Sequence, residues 1–161
     1  KFKVAITCYI EFHSINKKRQ YNMAYLGLFF SALIASTLFP MGSEVVLIAL
    51  LEQNHNVWLL WLVATTGNTL GSCINYAIGY WASAYVMNKY HDSASWQKGQ
   101  QLYNRYGVWS LLFAWLPIIG DPLTLIAGLA RTHFRIFFLL VLIGKGARYA
   151  VLIALTQLAI R

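Results

Sequence analysis

Negative charge is scarce in this chain: five Asp and Glu among 161 residues, and 11% charged residues in all. A soluble domain carries about a quarter, so an ordinary cytosolic fold is excluded. A disordered chain, which needs high charge and low apolar content, is excluded too. Cysteine is limited to Cys8 and Cys73, with no CxxC pair, which leaves no disulfide framework and no thiolate metal site. The histidines are scattered, and P-loop, HExxH and GxSxG motifs are all missing. No enzyme activity, no metal and no cofactor is therefore expected. Proline occurs three times, as Pro40, Pro117 and Pro122, each time inside an apolar run.

What is present is hydrocarbon. Apolar residues make up 58% of the chain, and the mean hydropathy is +0.52. The formal net charge is +8, but it forms no basic face of the kind that binds nucleic acid. Lys1, Lys3, Lys17, Lys18 and Arg19 against Glu11 give +4 within residues 1–22. The remaining bases are spread thinly between apolar runs, as expected of loops facing lipid headgroups. Residues 1–22 read differently from the rest. Their apolar patch, 4–10, is too short to cross a bilayer, which takes about 20 apolar residues, and it lacks a small-residue cleavage site. They are expected to be a non-native or disordered extension ahead of Met23, the alternative being a basic arm held on the cytoplasmic side. Residues 23–161 form the membrane domain.

Four apolar regions follow. The first runs over 24–39, stops at Pro40-Met41-Gly42-Ser43-Glu44, and resumes over 45–51. The second covers 57–87. The third starts near Val108, breaks at Pro117-Ile118-Ile119-Gly120-Asp121-Pro122, and resumes to Ala130. The fourth covers 134–160. Regions two and four are long enough to span. Regions one and three carry Pro, Gly and a carboxylate at mid-length, and neither half can cross alone. Irregular backbone at membrane depth survives only where protein or a water-filled cavity satisfies its polar groups. The expected fold is therefore an all-α integral membrane protein with two re-entrant helical hairpins, broken at Pro40–Gly42 and Pro117–Gly120–Pro122, plus transmembrane helices.

The two breaks are related. Pro40-x-x-x-Glu44 recurs as Pro117-x-x-x-Asp121 at an offset of 77, and the same offset carries Gly67 onto Gly144. Each unit is a broken hairpin followed by a span. One hairpin plus one span places the next unit on the opposite side, so the repeat is inverted. That arrangement, with broken helices meeting near the midplane, is a transporter signature.

The stretches FPMGSEVVL (39–47), GNTLGSCINYAIGY (67–80), RYGVWSLLFAWLPIIGDPLTLIAGLAR (105–131) and GKGARY (144–149) resemble the DedA family, also called the VTT or SNARE-associated domain family, and most closely its short YqaA-like branch. The likeness covers residues 24–160. It implies a multi-pass protein of the bacterial inner membrane, two facing re-entrant hairpins, and lipid translocation dependent on proton motive force. It places the family's first-hairpin glutamate at Glu44. The family's acid in the second element falls at Ser72. The two arginines flanking the second-hairpin proline, suited to holding a lipid phosphate, fall at Ala114 and Gly120. The resemblance thus carries the scaffold further than it carries undecaprenyl phosphate as cargo.

Four charges within the apolar regions are the candidate proton- and substrate-binding residues: Glu44, Asp121, Lys145 and Arg148. An ionisable group inside a membrane is costly and faces an interior cavity by default. The acids could bind and release protons; alternatively each caps a half-helix. Lys145 and Arg148, three apart, share a helix face and could pair with the acids, meet an anionic headgroup, or snorkel to the interface. Gly67, Gly71, Asn75 and Gly79 form a small-residue stripe for close helix packing, within the chain or against a second copy as a homo-oligomer. Trp58, Trp61, Trp81, Trp96 and Trp109 fall near segment ends like an aromatic belt, with Trp115 the exception, and residues 88–106 suggest an interfacial amphipathic helix. The function expected is a transporter-like protein moving a lipid or small anion, proton-coupled through Glu44 and Asp121, with membrane lipids as partners. The alternative is a non-transporting membrane protein supporting envelope integrity or assembly.

Overall fold

The computed structural model describes residues 20–36, 42–90, 107–116 and 120–160. Pro40, Pro117, Trp96, the first 19 residues and residues 91–106 lie outside the described residues, and with them the apices of the expected hairpins and most of the expected interfacial helix. The described elements are all helical. Helix α1 covers residues 20–35, so the chain is already helical three residues before Met23, and Tyr21 packs on His55 with ring centroids 4.5 Å apart. Helices α2 (Gly42–Glu52) and α3 (Val57–Tyr90) follow. A single turn, α4 (Val108–Ser110), tightens into a 3-10 segment over Leu111–Trp115. Helices α5 (Gly120–Leu129) and α6 (Phe134–Ile160) complete the fold.

Two helices are long and apolar enough to cross a membrane, over Val57–Tyr85 and Phe134–Ala159, 29 and 26 residues. At about 1.5 Å per residue, each exceeds the roughly 30 Å of hydrocarbon in a bilayer. Their outward faces are apolar: Leu62, Leu70, Ile74 and Ile78 on α3, and Leu139, Ile143, Val151 and Leu155 on α6, are all exposed. Such a surface suits a hydrocarbon surround, not water. Trp58 and Trp81, both strongly exposed, stand about 35 Å apart along α3, the separation expected of two interfacial anchors.

Short turns set the helix ends. Asn56 caps α3: its Oδ1 accepts from the backbone N–H groups of Trp58 and Leu59 at 3.0 and 3.2 Å. Asn54, at φ 59°, closes α2, with its N–H on Leu51 O and that of His55 on Leu50 O. Arg131, at φ 53°, closes α5 in the same pattern, with its N–H on Gly128 O and that of Thr132 on Ala127 O. Both turns have the Schellman bonding that satisfies orphan carbonyls at a helix end. Asn54 and Arg131 are 77 apart, and so are the first residues of α3 and α6, Val57 and Phe134. A left-handed conformation costs an arginine about 1–2 kcal/mol. Here the side chain is held on α3, with Nε donating to Ser83 Oγ at 2.9 Å and the guanidinium 5.3 Å from the Tyr80 ring centroid.

The small-residue stripe of α3 is covered from within the chain. A Cβ on Gly67 would come within 2.6 Å of Phe29 O, and one on Gly71 within 2.6 Å of Leu33 O, so α1 lies directly on that face. Farther along, Gly79 of α3 and Gly128 of α5 meet backbone to backbone: a Cβ on Gly128 would overlap the Tyr76 carbonyl. Two apolar cores result. One joins α1, α2, α3 and α6 through Leu28, Leu47, Leu50, Leu60, Tyr149 and Ile153. The other joins α3, the 3-10 segment, α5 and α6 through Tyr76, Leu111, Ala114, Ala127, Phe137 and Val141.

Gly128→Leu is expected to separate α3 from α5. Overpacking of this kind costs about 1–3 kcal/mol, read as a lowered thermal midpoint of the detergent-solubilised protein. A change at the exposed, lipid-facing Ile143, such as Ile143→Leu, leaves the midpoint unmoved.

Candidate functional site

Between the two cores lies a polar layer built on one face of α6. Lys145, Arg148 and Tyr149 are three and four residues apart, which on a helix puts them on one side. Lys145 is 2% exposed. An ammonium has three N–H donors and no acceptor, and all three are used. Nζ donates to Asp121 Oδ1 of α5 at 2.8 Å, to Ser36 Oγ at the end of α1 at 2.9 Å, and to Asn68 Oδ1 of α3. Lys145 does not snorkel; it is the centre of a four-helix junction.

Each oxygen around it is held by a further bond. Ser36 Oγ donates to Asp121 Oδ1 at 3.1 Å and lies 3.0 Å from Ser72 Oγ. Ser36 O accepts from Asn75 Nδ2 at 2.8 Å. Because the lysine can only donate, the Asn68 amide must present its oxygen there. Its nitrogen then donates to Tyr149 Oη at 2.8 Å, and the hydroxyl of Tyr149 pairs with Ser43 Oγ at 2.9 Å. Ser43 precedes Glu44 in the first turn of α2. Glu44 Oε1 accepts from Arg148 Nε at 2.9 Å and also from Nη2. The second ion pair thus joins α2 to α6, as the first joins α5 to α6. Both carboxylates sit in the first turn of their own helix, where the macrodipole favours an anion.

The Glu44–Arg148 pair opens onto a cavity of about 410 Å³ whose walls are Trp115, Ala147, Val151, Leu152 and Leu155. The ion pair provides the charged lining; the rest is hydrocarbon and an indole. Arg148, Val151, Leu152 and Leu155 follow one another at helical spacing, so the cavity runs down α6 from a charged end to an apolar one.

All four charges picked from the sequence therefore converge. Gly120 and Pro122 sit in the first turn of α5, where proline's missing N–H leaves no hydrogen bond unmade; Gly42 starts α2. Asn75 and the glycines of α3 support the site by letting α1 and α5 approach. Sequence reasoning missed Ser36, Ser43, Asn68 and Tyr149. The repeat held a signal for Asn68, which stands 77 before Lys145, but a lone Asn on an apolar helix reads as packing. The positions where the resemblance places arginines are closed: Ala114 is 1% exposed, and a Cβ on Gly120 would collide with its carbonyl. Ser72, at the position of the family's second acid, is fully buried and donates to Asn68 O at 3.2 Å.

Comparison with known proteins gives a consistent picture. The VTT domain matches residues 39–158. Inner membrane protein YqaA of Escherichia coli (strain K12) is 35% identical over 136 residues, 83% of this chain and 92% of that protein. An uncharacterized protein of Haemophilus influenzae is 36% identical over 137 residues, 80% of this chain and 85% of its own length. No solved structure matches the chain.

Asp121→Asn would leave the Lys145 ammonium buried without a counter-ion, which costs about 3–5 kcal/mol. Thermal unfolding in detergent should show that loss. The double variant Lys145→Met/Asp121→Asn should recover much of it, because the two changes couple. Equal, additive losses would mean that the pair does not act as a unit.

Proposed function

The chain belongs to the VTT-domain (DedA) family of membrane proteins, and we propose that it is a multi-pass, transporter-like protein of the bacterial inner membrane that translocates an anionic lipid or small anion. One observation carries this reading. Four charges of the described apolar helices, Glu44, Asp121, Lys145 and Arg148, meet in one interior layer, and one of the two pairs opens onto a cavity. Charges in a membrane interior are costly to keep, and a purely structural junction could be built from apolar residues at less cost.

In this proposal the two hairpins are re-entrant and the two halves form an inverted repeat. The support is backbone geometry: the left-handed turns at Asn54 and Arg131, and the starts of α3 and α6, share the offset of 77 that relates Glu44 to Asp121. Facing half-helices whose N-termini point into a central site are the arrangement by which inverted-repeat transporters bind charged cargo. Arg148 is the group that meets the anion. Glu44 holds Arg148 while the site is empty and releases it to the cargo, taking up a proton as it does so; Asp121 acts likewise toward Lys145. The mostly apolar wall of Val151, Leu152 and Leu155 favours a cargo with a hydrocarbon tail over a free inorganic ion, which would find no polar partner beyond the ion pair.

In proteoliposomes carrying a fluorescent anionic lipid, Arg148→Gln should slow translocation by an order of magnitude or more. Glu44→Gln and Asp121→Asn should abolish the response of the flux to an imposed pH gradient while the protein stays folded by circular dichroism. Folded variants with unchanged flux and unchanged gradient response would rule out the proposed roles.

A further inference from the structure

The surroundings of Lys145 Nζ are those of a bound ion. Three oxygens converge on it from three helices: Ser36 Oγ of α1 at 2.9 Å, Asp121 Oδ1 of α5 at 2.8 Å, and Asn68 Oδ1 of α3. They are a hydroxyl, an amide carbonyl and a carboxylate, the hard donors that cations such as sodium and calcium take. They carry one negative charge between them, which suits a monovalent ion. The oxygens are also held in place by bonds other than those to the lysine. Ser36 donates to Asp121 and has its own carbonyl tied to Asn75; the amide of Asn68 is anchored on Tyr149. The arrangement is therefore a preorganised cage, with 98% of Lys145 out of solvent. Arg148, one turn along α6, is engaged with Glu44.

We propose that this junction is a monovalent-cation site whose occupant is covalently tethered, the Lys145 ammonium standing where a free sodium ion or small primary ammonium would otherwise bind. The chain then joins α1, α3, α5 and α6 without drawing an ion from solution. Any movement that withdraws Lys145 from Asp121 exposes a cage with cation affinity of its own. The inference concerns the cage alone and holds whatever the cargo is.

Lys145→Met tests it, because methionine keeps the apolar stem and ends one heavy atom short of Nζ. The full-length variant is purified in detergent, and its thermal midpoint is measured in choline, sodium and methylammonium chloride at equal ionic strength. The wild type should unfold at one temperature in all three. The variant should be lowest in choline, a quaternary ion with no N–H donor, and should rise by roughly 3–6 °C in sodium or methylammonium at about ten times the dissociation constant. The double variant Lys145→Met/Asp121→Asn should lose that rise. Lys145→Ala, which leaves more room, should respond more to methylammonium than to sodium. The proposal is overturned if Lys145→Met and Lys145→Ala are equally unstable in every salt, including failure to fold in any of them. It is also overturned if the wild type shows the same rise, or if the rise survives the loss of Asp121.

Discussion

An ammonium group removed from water costs several kcal/mol unless its charge is countered and its three protons are each given an acceptor. Lys145 imposes that requirement at the centre of this fold, and much of the architecture can be understood as meeting it. No single helix can present three oxygens to one point on its neighbour, so α1, α3 and α5 each supply one. For three helices to come that close to α6, the faces between them must be nearly bare. Gly67 and Gly71 admit α1, and the contact of Gly79 with Gly128 admits α5. The small-residue stripe and the buried charge are thus one device.

The same logic places the second ion pair. Arg148 follows Lys145 by one turn and reaches Glu44 at the start of α2, so these two cations of one helix bind the acids in the first turns of α5 and α2. Tyr149 and Asn68 link the pairs through neutral groups. Asn68 has its amide direction set by the lysine on one side, and it passes that direction to Tyr149 and Ser43 on the other. A chain of hydrogen bonds thus connects Asp121 and Lys145 to the first turn of α2. Apolar cores on either side keep water from Lys145, which strengthens its interactions and raises the cost of leaving one unmade.

At the positions where the resemblance places arginines stand Ala114 and Gly120, and their close contact leaves no room for a long side chain. The cations come from α6 instead. The cavity beside Arg148 therefore borders α6 and its apolar flank, charged at one end and hydrocarbon along the rest.

The two long apolar helices, the four charges in apolar surroundings and the 77-residue spacing could be read from the amino-acid order, because they depend on local properties: run length, residue placement, and the penalty on charge in apolar surroundings. The spacing even extends to the two left-handed turns at Asn54 and Arg131, since capping is set by neighbours within a few residues. Pairing was another matter. Asp121 finds Lys145 24 residues away and Glu44 finds Arg148 104 residues away, and nothing local distinguishes these partners from the reverse assignment. Ser36, Ser43, Asn68 and Tyr149 joined the site for the same reason: a small polar residue on an apolar helix has no meaning until the rotation of that helix decides what it faces. The sequence by itself determined which charges must be buried. Only the packing of α1, α3 and α5 around α6 decided what each would meet, because that depends on how close the backbones come and which way their side chains point.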